Sequence, residues 1–273
     1  MRKSIAFLLI IIFSTTQMTA QNSEEQWDTY MATYENEKPG STTLRMDLIN
    51  STPIKEFDFV LVTGLTYETS KENGFPENET FSILHKVADE LIEIIQKETE
   101  FILVGSFMYN NERLEYFYIK EQKNIISKIE NFYKTNYPEY KFYLNVKEDK
   151  EWKYYRDFLY PNEETRNYMA DQSVLRNLED AGDNLTKSRR VDHWLYFSKE
   201  SDMNKCKADL EKSNFKVQNA GINKETNLPF ELQIWRIDNV NIDSIYPITS
   251  DLRKRAKKFN GEYDGWETSI EKE

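Results

Sequence analysis

The chain has 273 residues with a formal net charge of −11; 30% are charged and 14% aromatic, and there are two histidines and a single cysteine. One cysteine excludes an internal disulfide, no zinc-type ligand spacing can be assembled, and the acidic field opposes binding to a phosphate backbone. The 17 Tyr and 16 Phe supply enough apolar area for one large or two modest cores.

The first residues read as a signal peptide spanning 1–20: Arg2 and Lys3, then the apolar run Ile5 to Phe13, then small and polar residues to Ala20. That run is about half of the ~18 residues a membrane-spanning helix needs, so no membrane insertion is expected after cleavage. Cleavage is expected after Ala20, with Met18 in the upstream small-residue position able to shift the bond by a residue or two. Loss of Arg2 and Lys3 takes the net charge to −13. The only cysteine, Cys206, lies far from any lipidation position. The expected location is therefore periplasmic or secreted.

An N-terminal hairpin is predicted from Trp27 to Tyr34 and Thr42 to Ile49, turning at Lys38-Pro39-Gly40. Phe57 to Tyr67 reads as a buried strand. Ile83, Leu84, Val87, Leu91, Ile94 and Ile95 then recur at helical spacing over Thr80 to Lys97. Phe101 to Tyr109 and Leu114 to Ile119 flank Asn110-Asn111-Glu112 as a second hairpin. A helix over Ile125 to Tyr133 closes before Pro138, and Tyr140 to Val146 is a final strand. From Phe57 the order is the ferredoxin-like split βαβ pattern.

An aromatic, charged connector (151–162) precedes a polar helix from Glu163 to Asp180, closed by Gly182. Strands at Val191 to Phe197, Phe215 to Ala220 and Phe230 to Ile237, with helices at Asp202 to Lys212 and Asp251 to Phe259, repeat the first arrangement without an evident fourth strand. The fold expected is α+β: two ferredoxin-like βαββα(β) domains with antiparallel sheets, at 21–150 and 163–273, plus the hairpin.

Three stretches carry a family resemblance: Leu178-Glu179-Asp180-Ala181-Gly182-Asp183, the strand Val191-Asp192-His193-Trp194-Leu195-Tyr196-Phe197, and the string from Phe259 to Thr268, FNGEYDGWET. Together they resemble the regulator of ribonuclease E activity B family over 163–273. The region ahead is similar to an uncharacterised bacterial domain, the 695 family. The first resemblance implies action by protein contact, masking a cytoplasmic ribonuclease scaffold without catalysis; the second implies architecture only. The chain departs from the regulators in its leader and in stopping at Glu273 without a long acidic tail, which puts the ribonuclease target in doubt.

No catalytic constellation stands out, and no cofactor is expected. Close carboxylate pairs such as Asp89 and Glu90 carry no specificity among 47 acidic residues. Cys206 lies mid-helix between Met203 and Leu210 and reads as a packed thiol. His85 reads as a partly exposed helix residue. Alternation places Val191, His193, Leu195 and Phe197 on one face of a strand and Asp192, Trp194 and Tyr196 on the other. His193 then reads as a satisfied buried histidine or as a contact residue. The basic run Arg253, Lys254, Arg255, Lys257 and Lys258 is either a patch for an acidic partner or a set of helix-terminal cations. The string Tyr263, Asp264, Gly265 and Trp266 is either a packed tail turning at Gly265 or an exposed aromatic anchor.

The functional expectation is a non-enzymatic, exported protein that binds an unidentified protein partner and no nucleic acid. Its candidate contact residues are His193, Trp194, Tyr263, Asp264 and Trp266. The alternative is a hydrolase of unrecognised type acting on extracellular glycan or peptide.

Overall fold

A computed structural model describes residues 25–223 and 227–272, so the leader read at 1–20 lies outside the described residues. The chain forms two compact units that divide between Tyr160 and Pro161.

The first unit opens with the hairpin β1 (Trp27–Thr33) and β2 (Pro39–Arg45). Its turn runs through a 3₁₀ segment at Glu35–Glu37, ahead of the Lys38-Pro39-Gly40 turn that composition suggests. Pro39 instead starts β2, a position where its missing N–H is tolerated. Gly40 lies under the Tyr34 ring, where an added Cβ would come within 2.7 Å.

Then follow β3 (Phe59–Thr66), α1 (Asn78–Glu98), β4 (Phe101–Tyr109), β5 (Glu112–Ile119), α2 (Ile125–Asn136) and β6 (Lys141–Glu148). The sheet order is β1-β2-β4-β5-β3-β6, with every neighbour antiparallel. Counted from β3, the strands lie fourth, first, third, second, which is the ferredoxin-like arrangement, with the hairpin added at the β4 edge. The β4–β5 connection is a two-residue turn in which Asn110 and Asn111 both take positive φ (47° and 67°), the geometry that suits a tight hairpin. Gly64 allows β3 and β5 to meet: a Cβ there would lie 1.8 Å from the Arg113 carbonyl oxygen.

Helices α1 and α2 place Leu84, Leu91, Ile95, Ile129 and Tyr133 against Leu61, Leu65 and Phe117. The opposite sheet face is closed by the segment predicted as a connector. Trp152 stacks on Tyr118 (centroids 3.8 Å apart, 7° between planes) and donates its indole N–H to the Phe57 carbonyl at 3.0 Å. A π-helical turn at Tyr154–Leu159 continues the strap. The Tyr155 hydroxyl donates to the Arg45 carbonyl (2.6 Å), and the Tyr30 hydroxyl to that of Leu159 (2.9 Å). Asp149 anchors the strap, accepting from the Tyr118 hydroxyl (2.6 Å) and from the N–H groups of Lys153 and Tyr154 (3.0 and 2.9 Å).

The second unit begins with α3 (Glu163–Asp180). Asn162 caps it by accepting the Thr165 N–H at 2.9 Å. Gly182, at φ 91°, closes it, with the Asp183 N–H reaching back to the Leu178 carbonyl. Next come β7 (Arg189–Phe197), α4 (Glu200–Glu211), β8 (Lys216–Ile222), β9 (Phe230–Asp238), α5 (Ile242–Lys258) and β10 (Gly261–Thr268).

Two expectations are corrected here. Helix α5 starts at Ile242 and carries Pro247 inside it. Burial of Ile245 and Leu252 on either side of the proline outweighs one lost backbone bond. The presumed tail is the fourth strand. It pairs antiparallel with β7 from Gly261 opposite Phe197 to Thr268 opposite Val191, with a register shift between Tyr263 and Gly265 that leaves Asp264 in a bulge. The order β10-β7-β9-β8 again runs fourth, first, third, second. Both units are therefore α+β with complete βαββαβ cores. The second core joins Met203, Cys206, Leu210 and Leu252 to Leu195, Phe197, Leu232 and Ile234.

Candidate protein-contact site of the second unit

Strand alternation divides the five candidate residues between two environments. Val191, His193, Leu195 and Phe197 are wholly buried, whereas Asp192, Trp194 and Tyr196 point to the face that carries no helix among the described residues and are half-buried.

His193 and Trp266 are buried on the helix-covered side, and Tyr263 is half-buried there. His193 Nδ1 is 2.9 Å from the Tyr263 hydroxyl, and its Nε2 has no hydrogen-bond partner among the described residues. Burial pushes the imidazole down to about 3, helped by the Arg236 charge, so it is neutral at ordinary pH. Burial likewise raises the Tyr263 phenol well above its usual range.

The Arg253 guanidinium lies 5.0 Å over the Tyr263 ring and hydrogen-bonds both oxygens of Asp171 at 3.2 and 3.3 Å. Asp171, buried on α3, also accepts from the Thr249 hydroxyl (2.5 Å) and the Trp266 indole N–H (3.0 Å). One carboxylate thus ties α3, α5 and β10 together. Sequence reasoning passed over Asp171, although it shares a helical stripe with buried Leu175 and Leu178, where a carboxylate needs partners.

Four of the five residues in the basic run of α5 make separate contacts. Arg253 turns inward to Asp171, Arg255 bonds Asp251 and Asp209, Lys257 pairs with Glu163, and Lys258 lies over the Phe259 ring. A second buried pair, Arg189 with Asp183, pins the start of β7, and Asp183 also accepts the backbone N–H groups of Leu185 and Glu271 (both 2.8 Å). Arg189 holds the Asp183 carboxyl well below the usual carboxylate range.

Trp194 and Asp264 belong to the open face, and Tyr196 and Trp235 join them. Cross-strand register sets three rows: Glu262, Tyr196, Glu231 and Gly221; Gly265, Trp194, Gln233 and Asn219; Glu267, Asp192, Trp235 and Lys216. Trp235 on β9 is a residue that sequence reasoning did not single out. Its signal is the same alternation read on the neighbouring strand.

A family model described as a family of unknown function, DUF695, matches residues 25–160, and one described as regulator of ribonuclease activity B matches residues 169–268. The two matches follow one another in that order. The first takes in the strap that closes the sheet of the first unit, and the second contains the whole βαββαβ core of the second unit. No curated protein matches the chain. Among solved structures, an unknown protein from Galdieria sulphuraria is 9% identical, covering 78% of this chain and 99% of its own, with a TM-score of 0.20, a likeness too slight to carry an argument.

Elsewhere, His85 is exposed on α1, edge-on to Phe81 at 4.5 Å. No three His, Cys, Asp or Glu side chains among the described residues come together in an arrangement suited to a metal ion. Cys206 is fully buried, and burial pushes its thiol up to about 12, which makes it unreactive in the folded unit. No helix among the described residues is long and apolar enough to cross a membrane.

Proposed function

We propose that the chain is an exported, non-catalytic regulator that works by protein-protein contact, through the open sheet face of its regulator domain. The observation that carries this reading is the helix-free face itself, where Trp194, Tyr196 and Trp235 stand in successive rows, half-buried and without an apolar cover. Aromatic residues of this kind dominate the energetics of protein interfaces. The regulator description matched by this domain supports regulation without catalysis. The leader read at 1–20 supports a target outside the cytoplasm, a protein other than a cytoplasmic ribonuclease.

Capture of a partner by the full chain, repeated with Trp194→Ala and Trp266→Ala, tests this. The Trp194→Ala chain is expected to lose the partner while its stability changes by no more than about 1 kcal/mol, since the ring packs under no helix. The Trp266→Ala chain is expected to lose it only to the extent that it unfolds. Retention of the partner by a folded Trp194→Ala chain overturns the proposal.

A further inference from the structure

The three aromatic rows of the open face differ in what already occupies them. At one end the Trp235 indole is covered by the chain's own cations, with the Arg190 guanidinium and the Lys216 ammonium each 4.6 Å from the ring centre. Arg190 is also held by Asp192 through bonds of 2.7 and 2.6 Å, so a guanidinium sits against both an aromatic ring and a carboxylate. That arrangement combines a cation–π contact with a two-bonded carboxylate, the pairing for which arginine's planar fork is suited.

At the other end the same elements are present without the cation. Tyr196 stands in register between Glu262 and Glu231, and burial, followed by the charges of Glu231 and of Asp264 in the bulge, raises the Tyr196 hydroxyl. Glu231 accepts amide N–H groups from Asn219 (3.3 Å) and Asn223 (3.1 Å), and none of the three carboxylates has a cationic partner among the described residues. Between the two ends, Gly265 sits beside Trp194, and a Cβ added to it would meet nothing within 4 Å, so the approach to that ring is open.

The geometry points to an extended, arginine-bearing segment of a protein partner as the occupant of this face. Its guanidinium groups lie against Tyr196 and Trp194 and hydrogen-bond Glu231 and Glu262, as Arg190 does between Trp235 and Asp192. This inference rests on the contact role proposed for the face and adds the chemistry of what it contacts. Arginine fits better than lysine because two carboxylates flank the ring and a planar fork can bond them while stacked. A phosphate-bearing strand does not fit, because the face presents Glu231, Glu262, Asp264 and Glu267 to it.

Titration of the full chain with a glycine-spaced triple-arginine peptide, followed by tryptophan fluorescence and calorimetry, tests the inference. The arginine peptide is expected to bind at least about tenfold more tightly than its neutral citrulline counterpart, and more weakly as salt is raised. The combined E231Q, E262Q and D264N chain, and Trp194→Ala, are each expected to lose about tenfold or more of that affinity. Equal binding of the two peptides, unchanged binding by the triple variant, or direct binding of a single-stranded oligonucleotide to the chain alone each overturns it. A captured partner that needs Trp194 but ignores the triple variant also overturns the arginine inference, while leaving the contact role intact.

Discussion

Replacing Asp171 with alanine is expected to destabilise the second unit by about 3–5 kcal/mol, the usual cost of removing one member of a buried charged pair. The carboxylate is 1% exposed and serves three donors from two other elements: Arg253 and Thr249 of α5 and Trp266 of β10. Its loss leaves a mostly buried guanidinium, a buried hydroxyl and a buried indole N–H without their shared acceptor. Trp266→Ala is expected to cost a similar amount, through the cavity left among Leu175, Leu178, Val191 and Ile245. Because the two residues share a hydrogen bond, the double variant should fall short of the sum by about 1 kcal/mol or more. The second unit has its own reporter, since Cys206 is wholly buried in it and becomes labelled by a thiol reagent only when that unit opens. Urea titration of Cys206 labelling gives the measurement. A cost for Asp171→Ala below about 1 kcal/mol would show that the carboxylate is not the tie described.

Acid is the second large lever. The folded imidazole of His193 is held down to about 3, below its ordinary value of 6.5, so as pH falls through 6.5 the unfolded chain takes up a proton that the folded chain refuses. Stability is therefore full above 6.5 and declines by up to about 1.4 kcal/mol per pH unit until pH nears 3. Asp183 acts in the same direction lower down. Its depressed folded value contributes stability above the ordinary 3.8, which is lost as pH falls below that. In the first unit Glu115 has the opposite sign, because burial raises its carboxyl and protonation relieves the cost. Acid should therefore weaken the second unit through His193 and Asp183, while in the first unit His85, lowered by burial, and Asp47, lowered by its bond to Arg45, act in the same direction and Glu115 opposes them. His193→Asn keeps a polar group for the Tyr263 hydroxyl and cannot titrate, so the slope between about pH 6.5 and 4 should largely vanish in that variant. If urea midpoints of the Asn and His chains fall in parallel across that range, His193 is not the group responsible.

The contrast between Asp171 and His193 shows what the sequence makes legible. Alternation along Val191 to Phe197 places His193 and Trp194 on opposite faces, and the structure keeps them there. Which of those faces lies under helices depends on the handedness of the crossovers and on where α3 docks, and neither is written in a strand's own residues. The strand Gly261–Thr268 is faint in the sequence because Gly, Asp and Glu outnumber its two aromatic residues, and it is held by one neighbour only, at the sheet edge. The sequence pattern marks helix α5 only from Asp251, because Pro247 interrupts a periodicity that tertiary burial sustains. The segment around Trp152 follows neither a 3.6 nor a 2.0 period, since a π-helical turn sets its spacing. Its partners, Tyr118, Arg45 and Phe57, come from three distant stretches of the chain.

That strap also determines where the first unit can be cut for study by itself. A fragment ended at Glu148, with the last strand of the sheet, would remove Trp152, Tyr155 and Leu159, all three wholly buried, and bare the ring of Tyr118 together with the carbonyls of Arg45 and Phe57. Such a piece would retain every strand and helix of the domain, yet it would carry a newly exposed apolar face of the sort that draws copies together into aggregates. The natural seam for protein production lies at Tyr160, twelve residues beyond the point that the secondary structure alone would suggest.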